Sequence, residues 1–487
     1  MTRTHSRAAA ASLILLGIAS AALGLGARSQ GEVESTPAAF EAAHGAARTA
    51  LVGRLLTLAQ WCHESELFEE RDRLWNLVIG IDVDNAEARK GLRYARNTDG
   101  SWKEPAPRPA KNRNPSALEK LPAKRAEAVQ PFRDELVGRF ESEKIPLSAR
   151  KTVLDEILAV DPDDESCHTL LGEARVDGKW VLAETATGKA RRAAIRAAAD
   201  SAKAVPAAFE KTEASDEDKA LFEKWKCGTQ LGTIRVLASG DDSQCQKLAD
   251  ACRIAAQVFQ VALGREPAYA EGFTLYVVAG KGEKETFISK IPDLDDPARA
   301  AMKKTIGGGL PGTWKVAIFE PEPARLLDCA VRHALAHLLN QGFHVGTAQP
   351  WIFEGFGLYL TREVCGTRLT WFCSGTGVAG EGKNSPRAKL MVASSNWMNE
   401  ALQVLSKEPA PDLGKVLAKD MAAMGVDDLL VSYALAAYLI EGRPDSVASL
   451  LQSAGEGKPA AEAVQATLGL TVPELQTRLV QWLKERK

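Results

Sequence analysis

What this 487-residue chain lacks narrows its reading before any motif is considered. It has no excess of one charge: 61 Lys and Arg stand against 63 Asp and Glu, a net charge of −2 at pH 7. No global field therefore favours nucleic acid or an anionic membrane surface. After the first 27 residues no run is long and apolar enough to span a bilayer, which excludes a polytopic membrane protein. No cysteine pair has CxxC spacing, and the glycine clusters GKGEK and GGG lack the spacing of a Walker loop or a dinucleotide fingerprint. Histidine is scarce, at seven residues. The remaining composition, 45% hydrophobic and 25% charged, is that of an ordinary globular protein. Its length predicts two to four domains at about 150 residues each.

What is present begins with an address. Arg3, His5 and Arg7 precede the apolar run AAAASLILLGIASAALGLGA, which ends at Ala27 and gives way to RSQGEVEST. A basic start, a hydrophobic middle and small residues at the end predict a secretory signal peptide over residues 1–27. The alternative is an uncleaved anchor, because about 20 apolar or small residues just span a bilayer. No cysteine follows the run, so no lipoprotein anchor is expected. The expectation is export, to the periplasm and cell envelope or beyond, with no stable membrane span after cleavage. In an oxidising compartment the eight cysteines read as disulfides or as buried thiols. Cys365 and Cys373 form the expected local pair, whereas Cys245 and Cys252 lie roughly 10 Å apart along a helix and cannot join directly.

The front third contains an internal repeat. IDVDNAEARKGLRYARNTDGSW from Ile81 matches VDPDDESCHTLLGEARVDGKW from Val160, with Asp82 on Asp161, Arg96 on Arg175 and, after a one-residue gap, Trp102 on Trp180. Each copy follows an amphipathic segment. The pattern predicts helix, Asp turn, helix, then a Gly turn and Trp: a helical hairpin similar to tetratricopeptide-type units, over 45–103 and 129–185. The offset of 79 residues keeps the copies separate. Between them, 104–128 is rich in Pro, Lys and Arg and reads as an extended linker. Residues 186–226 follow as an Ala-rich connecting helix.

From Cys227 the texture becomes α plus β. TIRVLAS, FTLYVVAG and WKVAIFE are short strand-like runs separated by helical patterns, and IGGGLPGTW reads as a turn. In EPEPARLLDCAVRHALAHLLNQGF, apolar periodicity from Leu326 to Leu339 predicts a helix with Gly342 at its C-cap. His333 and His337, four apart, project from one face. A second helix from Pro350 carries Glu354. Two imidazoles and a carboxylate are the three protein ligands of a tetrahedral zinc site with one position left for water. The plainer reading is two ordinary histidines, one packed and one solvated.

These segments resemble the zinc-binding helix pair of gluzincin metallopeptidases, specifically the bacterial peptidase MA-like group. There HExxH is followed by a segment of the form W-x-x-E-G-x-A-x-Y; RHALAH and PWIFEGFGLYL place His333, His337 and Glu354 at the ligand positions, with Gly355 and Tyr359 also matching. The resemblance covers residues 227–487, including a helical tail. It implies an α+β, mostly helical chain: a zincin-like C-terminal domain with a small sheet, preceded by tetratricopeptide-like hairpins. The pattern breaks at Ala334, where the family has the glutamate that moves the proton of zinc-bound water. Loss of such a group costs ~10² to 10⁴ in rate. Leu358 stands where related enzymes place a carboxylate supporting a histidine ligand, a contact worth ~10 to 100-fold in affinity or activity. Asp328, Glu320, Glu322, Glu363 and His344 are considered as substitute bases, and Tyr433 as an oxyanion-facing hydroxyl, against a packed helical tyrosine. The expectation is an exported pseudopeptidase that retains zinc and binds a protein or peptide, not nucleic acid. An active zinc metallopeptidase of the cell envelope with a recruited base is the alternative.

Overall fold

A computed structural model describes residues 36–106, 110–278, 280, 282–373, 390, 392 and 395–486. The expected signal peptide lies outside the described residues. The chain is mostly helical with small sheets, an α+β protein, and it divides into two bodies at Trp180/Val181. No described helix is long and apolar enough to cross a membrane.

The first body begins with α1 (Ala38–Glu64) and α2 (Phe68–Ile81). Leu51, Leu55, Leu58 and Cys62 recur at helical spacing on α1 and are buried with Leu74 and Val78 of α2. Asn85 caps the six-residue α3 (Ala86–Gly91) by accepting the Ala88 N–H, and β1 (Ala95–Arg96) pairs with β2 (Trp102–Lys103). Next come α4 (Pro115–Leu136), α5 (Arg139–Ser142) and α6 (Leu147–Val160). The succession of short helix and hairpin then recurs: Asp164 caps α7 (Glu165–Leu170), and β3 (Glu173–Val176) joins β4 (Lys179–Leu182). Trp102 donates its indole N–H to Asp84, and Trp180 donates to Asp163.

The stretch expected as an extended linker is helical from Pro115. Asn114 accepts the Ala117 N–H, Pro115 sits at the first helical position, and Leu121, Val129, Phe132 and Leu136 bury one face. That apolar face maintains the helix through Pro122 and Pro131, each of which removes a backbone bond. Its basic residues are not all solvated either: Arg125 makes two bonds to buried Glu70, at 3.0 and 2.7 Å. Burial alone would raise the Glu70 pKa, but the bonds from Arg73 and Arg125 outweigh it and hold it low.

The second body opens with α8 (Ala183–Ala204), which covers only the first part of the connecting helix expected over 186–226 and whose Ile195, Ala199 and Ala202 join this body's core. After β5 (Glu210–Lys211) and α9 (Asp216–Leu221) come β6 (Cys227–Leu231), β7 (Ile234–Ala238), α10 (Asp242–Leu263) and β8 (Thr274–Val277). Then follow α11 (Glu283–Ser289), α12 (Asp296–Lys304), β9 (Gly307–Gly309) and β10 (Lys315–Ile318). The six-stranded sheet runs β5-β6-β7-β8-β10-β9, with β7, β8 and β10 parallel and the edges antiparallel. The central three are the strands expected from the β-rich runs TIRVLAS, FTLYVVAG and WKVAIFE. Val236 and Ala238 point to one face and Leu237 to the other, as pleating requires. The GGG segment, expected as a turn, is an edge strand. A Cβ on Gly307 would lie 3.0 Å from the Ala317 carbonyl and 3.1 Å from His333 Nε2, so the glycine permits the close approach.

Buried Asp218 knits this sheet to α9. It accepts bonds from Arg235, the Tyr276 hydroxyl and Ser215. Burial works to raise its pKa, but those bonds prevail and bring it to about 2. Because the folded value is depressed, the associated stability is complete above the unfolded pKa near ~4 and fades as pH falls toward 2. We expect Asp218→Asn to remove about 2 kcal/mol at pH 7 and markedly less at pH 3, measured by urea unfolding at both pH values. Equal losses at both would refute the linkage.

α13 (Pro323–Phe343) and α14 (Pro350–Cys365) follow, then α15 (Trp397–Leu405), α16 (Leu413–Leu417), α17 (Val426–Gly442), α18 (Pro444–Gly455), α19 (Ala460–Leu468) and α20 (Val472–Glu485). α10 and α13 cover one sheet face with Leu248, Cys252, Leu326, Cys329, Ala330 and Ala334. α17 is buried nearly all round. A Cβ on Gly355 of α14 would stand 2.3 Å from the Ser432 carbonyl of α17, so this glycine sets their separation. No disulfide joins any of the eight cysteines, the expected Cys365–Cys373 pair included.

Candidate functional site

α13 starts where Glu322 accepts the Ala324 and Arg325 N–H groups and Pro323 fills the first helical position. It ends two residues later than expected: His344, in the left-handed conformation at φ 58°, is the C-cap. Gly342 lies inside the helix, where a Cβ would sit 3.3 Å from the Phe259 ring of α10. α14 begins at Pro350 and buries Trp351 through Thr361. The helical hairpin therefore holds His333, His337 and Glu354 in the interior.

Each of the three has its own surroundings. His337 stacks on Tyr269 with ring centroids 5.7 Å apart, touches Phe273 at 4.5 Å and meets Trp314 edge-on at 5.1 Å. Its Nε2 accepts the backbone N–H of Ala270 at 2.9 Å. Burial lowers its pKa to about 4. A neutral imidazole that accepts at Nε2 carries its proton on Nδ1, and the Nε2 lone pair is taken. His333 packs against Phe372, centroids 4.8 Å apart, and its buried Nε2 has no hydrogen-bond partner among the described residues. Burial, and then the charge of Arg332, lower its pKa to about 3, so it too is neutral.

Glu354 is fully buried and its carboxylate is engaged on both oxygens. Oε1 accepts the N–H groups of Phe372 and Cys373 at 2.7 and 2.6 Å. Oε2 accepts Arg332 Nη2 at 3.0 Å, and the same nitrogen donates to the Phe353 carbonyl at 2.6 Å. The Arg332 guanidinium, also fully buried, lies against the adjoining rings of Phe353 and Phe372, 5.0 and 4.4 Å from their centroids. A Cβ on Gly357 would fall 2.3 Å from Arg332 Nη1. The absence of a side chain at Gly357 makes room for the guanidinium.

Asp328, one of the candidate bases, is an anchor. Buried on α13, it accepts the Thr367 hydroxyl and the N–H groups of Leu369 and Thr370 at 2.9 to 3.0 Å. Asp328 and Glu354 together hold the segment 367–373 against α13 and α14. Glu320 accepts the Glu322 N–H and pairs with Arg325, Glu322 is the α13 cap, and Glu363 pairs with Arg196. His344 is exposed. Tyr433 packs on Trp397 and Tyr359 with the Arg368 guanidinium over its ring. Tyr359 donates to Glu441, and Leu358 is apolar core. Ala334 is fully buried and belongs to the apolar cluster between α13 and the sheet, with Leu275, Val277 and Ile318.

As folded, this donor set does not fit a zinc ion. One imidazole nitrogen is bound to a backbone N–H, the carboxylate is bound to two more and to a guanidinium, and the buried His333 Nε2 has no partner among the described residues. Among the described residues no group of three His, Cys, Asp or Glu side chains is placed to hold a metal. The spacing of the histidines led to α13 and α14, and Asp328 was weighed only as a base, whereas Arg332 and Gly357 went unread as site residues. The legible signals were an arginine directly before the first histidine and a glycine in the alanine position of the second motif. No protein-family model matches the chain, and no curated protein matches it.

Proposed function

We propose that this chain is an exported, non-catalytic zincin-like module of the peptidase MA-like type, with the front-end tetratricopeptide-like hairpins presenting a surface to a protein or peptide ligand. The observation that carries the reading is Ala334. A hydrolase of this type needs a carboxylate there to take a proton from water and return it to the leaving amine. A methyl group in an apolar cluster does neither, and the carboxylates considered as substitutes are engaged in caps, anchors and ion pairs.

Incubation of the mature protein with a degenerate library of fluorogenic peptides, with zinc added, tests this. We expect no cleavage above buffer. Cleavage that a chelator abolishes and that His333→Ala lacks would establish the metallopeptidase reading instead.

A further inference from the structure

We infer that Arg332 supplies internally the positive charge that a bound metal would provide beside Glu354, converting a ligand carboxylate into a fixed structural anchor. The inference rests on the zincin-like reading only for the expectation that a metal belongs between these helices. Its own support is the pairing within the hairpin. A buried carboxylate requires a compensating charge and hydrogen bonds for its lone pairs. Glu354 obtains the charge from Arg332 and the bonds from Arg332, Phe372 and Cys373. The guanidinium is held by the Phe353 carbonyl and by two aromatic faces, and Gly357 leaves the space it fills. His337 Nε2 is independently closed to a metal by the Ala270 N–H. The segment 367–373 is consequently fastened to α13 and α14 without any metal ion.

The test uses the full mature chain. Zinc is offered in excess, loosely held metal is removed by desalting, and retained zinc is measured by plasma mass spectrometry. Hydrogen exchange at the Phe372 and Cys373 amides is followed in parallel after chelator treatment. We expect no stoichiometric zinc in the wild type, and both amides protected at least tenfold over unstructured peptide, unchanged by zinc. One zinc per chain, lost in Glu354→Gln, would overturn the inference. So would unprotected amides in chelator-treated protein that become protected on adding zinc. Neither result would touch the non-catalytic reading, which fails only if peptides are cleaved.

Discussion

Replacing Arg332 by methionine is expected to destabilise the second body by about 3 to 5 kcal/mol, because it leaves the buried Glu354 carboxylate without a counter-charge. Methionine keeps the aliphatic stem but ends near the position of Nε, so it loses the bonds to Glu354 and the Phe353 carbonyl and the guanidinium contact with Phe353 and Phe372. The large cost is a penalty for an orphaned charge, not the net worth of the pair. Neutralising the partner as well should therefore recover part of it. We expect Arg332→Met with Glu354→Gln to be at least 1 kcal/mol more stable than Arg332→Met alone, since contacting residues couple by about 0.5 to 3 kcal/mol. Urea unfolding of the four proteins closes this cycle. A loss below about 1 kcal/mol for Arg332→Met, the range of exposed pairs, would mean that Glu354 is solvated and not held as described.

The parts of this arrangement that were legible in the sequence are those set by local periodicity. The short β-rich runs TIRVLAS, FTLYVVAG and WKVAIFE locate β7, β8 and β10, and the spacing of apolar residues locates α13 and α14. The four-residue spacing of His333 and His337 likewise fixes their shared helical face. What local pattern leaves open is which lone pair meets which donor. Ala270 reaches His337 from a loop 67 residues away, and Phe372 and Cys373 reach Glu354 from beyond the end of its own helix. Such contacts depend on tertiary packing and carry no periodic signature. The Pro-rich stretch was misread for a related reason. Composition counted its prolines and lysines, but a capping Asn114 and a buried face from Leu121 to Leu136 decided for helix. Edge strand β9 was missed because three glycines have no alternation to read, although their lack of side chains is what admits His333 and Ala317 so closely.

Ala334→Glu separates the two functional readings by the sign of its effect. In this fold the methyl of Ala334 is fully enclosed with Leu275, Val277 and Ile318. A glutamate there would bury a carboxyl with no assigned donor, and burial would raise its pKa well above the ordinary carboxylate value. The expected result is a loss of about 4 kcal/mol at pH 8, seen as a fall in melting temperature of roughly 10 °C. The sign with pH follows from linkage. A carboxyl whose folded pKa is raised binds its proton more tightly when folded, so the penalty is smallest below the unfolded pKa near ~4.3 and grows as pH rises through the folded value. Thermal unfolding at pH 4.5 and pH 8 reads this directly, the deficit being larger at pH 8. If the helix face instead opened onto a zinc-bound water, the same substitution would restore the one missing proton carrier. The variant would then be tolerated at pH 8 and would show chelator-sensitive peptide hydrolysis, raised by ~10² to 10⁴ over the wild type. A destabilised and inactive variant is what the apolar setting of Ala334 requires, because a carboxyl placed among Leu275, Val277 and Ile318 loses its solvation without gaining a partner.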